Sequence, residues 1–175
     1  MLCVRPAESG GESVFLDTWP LLDSIARADP GLLRDLFAIP RRAPFIFGDV
    51  IGPTVSRRGG HLVFTHSALA MDEIADRLAP FIVAAPVIEL RPRTGDLIVA
   101  NNHRLLHGRR SFHDPRREFL RLLVYSKRPI DAPASLLAAA LDVAPPAPNE
   151  ILDEHRTRVA NEMMRGVPPL SLIHI

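Results

Sequence analysis

Between Asn101 and Arg121 the sequence reads NNHRLLHGRRSFHDPRREFLR, which sets three histidines and six arginines within 21 positions. Histidine brings an imidazole that ligates metals or moves protons near neutral pH. Arginine brings a planar, permanently charged fork that matches carboxylate or phosphate. Such a stretch suits a metal site, an anion site, a nucleic-acid patch or a solvated loop. The window from Arg104 to Lys127 holds seven cations against Asp114 and Glu118, about +5, in a chain of 175 residues whose formal net charge is +1. The basicity is therefore local, and the rest of the chain is acidic.

The elements that must position this window follow from periodicity. LCVRP reads as the end of a strand, ESGGE as a turn and SVFLD as a second strand. Apolar residues at Leu21, Leu22 and Ile25, and again at Leu32, Leu33 and Leu36, have the spacing of a buried helix face, with Pro30 fitting a first-turn proline. Strand-like pieces PFIFGDVIG and HLVFTH follow, separated by the turn SRRGG. A helix is expected over Met71 to Ile82, with Asp72 and Glu73 in its first turn. VIEL and DLIVA read as strands joined by RPRTG, and FLRLLVYSK is the most strand-like run of all. Strand alternation puts Arg117, Phe119, Arg121 and Leu123 on one face. Two arginines on an apolar strand face need acceptors. Past Pro129, APASLLAAALDVAPPAPN reads as a short helix and a stiff linker, and a last helix is expected over about Glu150 to Met164.

Composition narrows the classes. Apolar residues at 47% give enough material for one domain with a real core. Cys3 is the only cysteine, which excludes an internal disulfide framework and a cysteine-rich metal site. No apolar run reaches the roughly 18 residues of a membrane span, and the N-terminal residues carry no signal-peptide pattern, so a cytoplasmic protein without a membrane partner is expected. Trp19 and Tyr125 are too few for base stacking, which leaves nucleic acid as a minor alternative resting on salt-dependent phosphate contacts.

Many short strands with an inserted helical region suggest a jelly-roll or related barrel. In that setting GDLIVANNHRLLHGRRSFHDPRREFLRLLVY resembles the C-terminal signature of the iron(II)/2-oxoglutarate-dependent oxygenases of the taurine dioxygenase/TfdA family, and the GGES of PAESGGESVFLD resembles the G-G-[DE]-[ST] segment of that family. Together the similarities span roughly Leu2 to Arg128. The resemblance implies a mainly β fold with helical insertions (α+β), a double-stranded β-helix or jelly roll incomplete at the N-terminus. It implies Fe(II), 2-oxoglutarate and O2 as cofactor and cosubstrates, and a small, perhaps anionic, substrate oxidised as 2-oxoglutarate is decarboxylated to succinate.

By the same resemblance His107 matches the distal histidine ligand of the metal. Arg117, ten residues on, matches the anchor of the far carboxylate of 2-oxoglutarate, Arg121 a second arginine closer to substrate and iron, and Ser13 a hydroxyl that bonds the same carboxylate. Asn101 stands where the family has Asp, beside Asn102. His103 and His113 have no ligand counterpart. Arg109 fits the family's H-G-R and has a supporting role or none, Asp17 reads as a turn or cap residue, and His61 and His66 form a weaker candidate metal pair.

The family's remaining ligands form a His-x-[Asp/Glu] motif upstream of the GG segment. Residues 63, 68, 105, 109, 115 and 157, which follow His61, His66, His103, His107, His113 and His155 by two, are Val, Ala, Leu, Arg, Pro and Thr, and His174 has none. With Gly10 and Gly11 so close to Met1, a truncated and by itself inactive, aggregation-prone chain is expected. The expected organisation is an oxygenase-domain part over 1–130, an Ala/Pro-rich linker and helical extension over 131–169, and a candidate non-native tail over 170–175. Homo-oligomerisation stays open, as does a second functional class: a metal-free jelly-roll module that keeps its anion pocket.

Overall fold

Three aspartates open the three larger helices. The computed structural model describes residues 1–45, 49–58, 60–124 and 130–141. In it Asp17 caps α1 (Thr18–Ala28) by accepting from the Trp19 N–H at 3.1 Å. Asp29 caps α2 (Pro30–Ala38) through the Leu32 N–H at 2.8 Å, with Pro30 in the first turn as its missing donor allows. Asp72 caps α3 (Glu73–Ala84) through the Ala75 N–H at 2.8 Å. Each side-chain oxygen satisfies one of the four backbone donors that a helix start leaves free.

The faces predicted from spacing are the ones buried. Leu21, Leu22 and Ile25 of α1 meet Leu32, Leu33, Leu36 and Phe37 of α2, with Ile74 and Leu78 of α3 closing the cluster. Each such side chain contributes about 1.5–3 kcal/mol by leaving water. Leu136 of α4 (Ala134–Leu141) and Ala132, two residues before that helix, join the same core, so the chain returns to the core after residue 130.

The remaining fold is made of short antiparallel strands, giving a mixed α+β structure. β1 (Leu2–Arg5) pairs with β9 (Glu118–Leu120). β2 (Ser13–Asp17) is the central strand of a three-stranded sheet between β7 (Val87–Leu90) and β8 (Leu105–Arg109). β3 (Arg41–Ala43) pairs with β4 (Val50–Gly52), and β5 (Val55–Arg58) with β6 (His61–Phe64). The turn before β2 uses Gly10 and Gly11 at φ of +68° and +72°, the left-handed region open to glycine.

Two strand expectations change. DLIVA forms no strand; it lies along the N-terminal residues through a Leu2–Leu97 bridge, a Cys3 N–H donated to the Asp96 carbonyl at 2.9 Å and an Ile98 N–H donated to the Met1 carbonyl at 2.8 Å. Of the described residues of FLRLLVYSK, 119–124, only Phe119 and Leu120 are in a strand, because the β1 ladder stops at the Leu2–Leu120 pair and residues 121–124 have no strand opposite among the described residues. The expected linker beyond Leu141, the helix over Glu150 to Met164 and the 170–175 tail lie outside the described residues. Among the described residues no helix is long and apolar enough to cross a membrane.

Candidate anion and metal site

The ladder of β2 against β8 decides which way the basic window faces. Ser13 pairs with Arg109 and Phe15 with His107, so these four side chains share one face of the sheet. The Phe15 and His107 rings lie 6.5 Å apart. On the opposite face Leu16 and Leu106 pack on the helical core. The start of β8 is clamped from the same direction: the Thr18 hydroxyl donates to the Arg104 carbonyl at 2.6 Å, and the Arg104 guanidinium lies 3.6 Å from the centre of the Trp19 ring while it pairs with Asp17. Burial draws the Asp17 carboxyl upward, but the hydrogen bonds from Arg104 and the Trp19 N–H outweigh it and hold its pKa below the ordinary value. Asp17 is thus both the cap that its sequence suggests and an ion-pair partner.

The second wall comes from β9 and its flanks. Cys3 stands opposite Phe119 in the β1–β9 ladder. The Arg117 guanidinium lies 4.0 Å from the Phe119 ring centre and 5.1 Å from that of Phe112, and Arg109, from the other sheet, lies 4.4 Å from the same Phe112. Phe112 therefore connects the two sheets through one cation on each. The glycine turn makes room: a Cβ on Gly11 would stand 3.2 Å from Arg117 Nε and 3.3 Å from its Cδ. Among the described residues the one hydrogen bond of the Arg117 side chain is a long one, Nη2 to the Gly11 carbonyl at 3.4 Å, and its buried Nε has no partner.

Charge is unevenly answered along the window. Arg104 pairs with Asp17, Arg110 with Glu89 at 2.9 Å, and Arg116 with Asp114 at 3.0 Å and with Glu8. Arg117 and Arg121 reach no carboxylate among the described residues. Burial, reinforced by Arg109, holds the Arg117 pKa below the usual guanidinium value. Burial does the same for Arg121, even though its side chain keeps much of its solvent contact, which places it at an open rim and not in the interior. His107 is half-buried, and burial together with the Arg121 charge lowers its pKa against a weaker opposing backbone hydrogen bond. Its imidazole is neutral at pH 7 and offers a lone pair, the form a metal requires.

Of the four residues singled out from sequence, Ser13 and His107 share one sheet face and Arg121 is near enough for its charge to act on His107, while Arg117 lies at the Gly11 turn against Phe112 and Phe119. Ser13 is 5% exposed. His103 and His113 stay apart from this group in role. The His103 carbonyl accepts from the Phe64 N–H at 2.9 Å, and His113 is exposed. The Asn101 side chain accepts from the His103 N–H at 3.0 Å, a bond an aspartate oxygen would make equally, so the Asn in place of Asp leaves this turn intact. Phe112 and Gly11 were missed as packing partners of Arg117. Phe119 was legible, since it lies two residues from Arg117 on the same strand face.

The residues fit the two expected groups unequally. An orphaned, partly desolvated guanidinium suits a carboxylate, whereas among the described residues no three metal-ligating side chains cluster around His107 or elsewhere. Comparison with protein-family models gives no match, and comparison with curated proteins gives no significant one.

Proposed function

We propose that this chain is the C-terminal part of a non-haem iron(II)/2-oxoglutarate-dependent dioxygenase with a double-stranded β-helix fold, acting on a small substrate, with anionic compounds among the candidates. The observation that carries the reading is Arg117: a partly buried cation with no carboxylate partner among the described residues, its buried Nε unmatched, held against two phenyl rings over a glycine turn. Arg117 would take the far carboxylate of 2-oxoglutarate, with Ser13 and Arg121 beside it, and His107 would be one metal ligand. When bound, iron and 2-oxoglutarate supply oxidation by O2 with release of succinate. The protein's residues contribute the anion anchor and one ligand, and the other two ligands would come from residues outside this sequence. Exposure of Ile88, Leu90, Leu120 and Leu122 supports further strands covering this part of the fold.

In the full-length parent, Arg117→Ala should weaken 2-oxoglutarate binding by roughly 2–5 kcal/mol, measured by calorimetric titration. Unchanged affinity rejects Arg117 as the anchor. Turnover of 2-oxoglutarate by this chain alone would overturn the idea that its ligand set is incomplete. The second reading, a metal-free module that binds carboxylates, draws on the lack of any His-x-[Asp/Glu] in the sequence. Upstream coding sequence separates the two: a His-x-[Asp/Glu] within a few dozen residues supports the enzyme, and an intact unrelated start supports the module.

A further inference from the structure

Away from the His107 face, a second group of polar atoms lies inside the protein. The Arg41 side chain, on β3, is 6% exposed. Its Nε donates to Asp72 Oδ2 at 2.9 Å and its Nη1 to Thr54 Oγ1 at 3.3 Å, which leaves Nη2 buried with no partner. His66, two residues past β6, has a buried Nδ1 without a partner, and so does the hydroxyl of Ser56, two residues beyond Thr54. Two of them, Arg41 Nη2 and His66 Nδ1, are brought together by Thr54, whose hydroxyl accepts from Arg41 and whose carbonyl accepts from the N–H of Thr65, the neighbour of His66, at 2.7 Å. Native interiors rarely leave such atoms unmatched, so a cluster of them marks a place where something binds.

The sign of the local field says what kind of occupant fits. Burial, then the Arg41 charge, push the His66 pKa down to about 4, and Asp72 opposes them with a smaller effect. At the imidazole, then, the guanidinium outweighs its own ion-pair partner, and the ring is neutral at pH 7. A cation is disfavoured there. A neutral water would meet the hydrogen bonds but leave the positive potential unanswered.

We propose that Arg41 Nη2 and His66 Nδ1 line a buried site for a small monovalent anion of the halide or carboxylate class, with Ser56 as a neighbouring donor. The neutral imidazole contributes its proton on Nδ1, and Arg41, already fixed at two nitrogens by Asp72 and Thr54, presents its third. None of these residues belongs to the 101–121 window, so the site stands or falls separately from the oxygenase reading.

The test is a titration of the full chain, labelled with 15N in its histidines, with sodium formate and separately with sodium chloride. The His66 signals are assigned by their loss in His66→Asn. A saturable shift of those signals, with a rise in the His66 titration midpoint, is expected from at least one of the two salts. Response to formate alone identifies a carboxylate site, and response to chloride alone a halide site. Arg41→Lys keeps the charge but offers no second terminal nitrogen, and it should weaken the binding by roughly tenfold, as for one lost charge-assisted hydrogen bond. If that variant fails to fold, Ser56→Ala should still lower the affinity measurably. A wild-type His66 signal that is unmoved, or that drifts linearly with both salts, means a site holding only water and overturns the proposal.

Discussion

Arg77 and Arg117 show how differently two parts of this protein treat a cation. Arg77, on α3, donates to Asp35 at 2.6 Å and to both oxygens of Asp29 at 3.0 and 3.1 Å, tying its helix to the start and middle of α2. Its hydrogen bonds to those carboxylates raise its pKa. Arg117 is more enclosed, has aromatic faces in place of carboxylates, and its pKa is lowered. In the helical region the N-caps of α1, α2 and α3 are filled and Arg77 is matched by two carboxylates. In the strand region Arg117 and Arg121 reach no carboxylate among the described residues. A protein that matches its charges in one half has the means to match them in the other, so the open half points to a ligand.

That contrast can be broken by experiment. The largest effect is expected in the helical half: Leu36, fully buried, should cost about 2–5 kcal/mol as Leu36→Ala in urea unfolding, with no change in anion binding at the strand face. If the two halves instead unfold separately, the single transition that this shared core implies will be absent. Acid comes next. The unfolded chain holds this histidine near its ordinary value of 6.5, while folded His66, beside Arg41 and Asp72, stands at about 4. The unfolded state therefore takes up the proton first. Stability is full above pH 7, falls as pH drops from 6.5 toward 4, and levels off below, a loss of roughly 3 kcal/mol for a shift of this size. In buffer free of formate and chloride, His66→Asn should remove most of that slope, and an unchanged slope would assign it to other groups.

A smaller effect sharpens the comparison at the strand face. Gly11→Ala places a side chain at φ +72° and within 3.3 Å of Arg117, so a loss of about 1–2 kcal/mol from the backbone alone is expected in thermal unfolding. The smallest is Arg117→Met. Removing a buried donor that nothing accepts should leave stability within about 1 kcal/mol of the parent, in either direction. A large loss there would show that Arg117 is a structural residue like Arg77, and the contrast would fail.

The helices were readable because their signal is local: an aspartate cap, a first-turn proline and leucines at helical spacing all fall within about ten residues of one another. β2 and β7 were readable for the same reason. β8 was not, since LLHGR has no alternation and its basic neighbours look like a loop; only the ladder to β2, some ninety residues away in sequence, makes it a strand. FLRLLVYSK failed in the opposite sense, having strong propensity but a partner for only its first two residues. At the site, Arg117 and Arg121 could be picked out from the sequence, but both lie just outside β9, so their alternation is not that of a paired strand. The Phe112 ring between two sheets and the open side of Gly11 could not, because both depend on pairing across the fold. His66 was set beside His61 as a metal pair on sequence proximity alone, whereas its neighbours prove to be Arg41 and Asp72.

The clamp at the start of β8 has an optical side. Trp19 is the only tryptophan in the chain, and Arg104, three residues before His107, lies against its indole face. A guanidinium at that distance perturbs the excited state of the ring, so the intrinsic fluorescence of the protein reports on the register of the strand that carries His107. A carboxylate binding between the two sheets should be visible as a change in emission without any label.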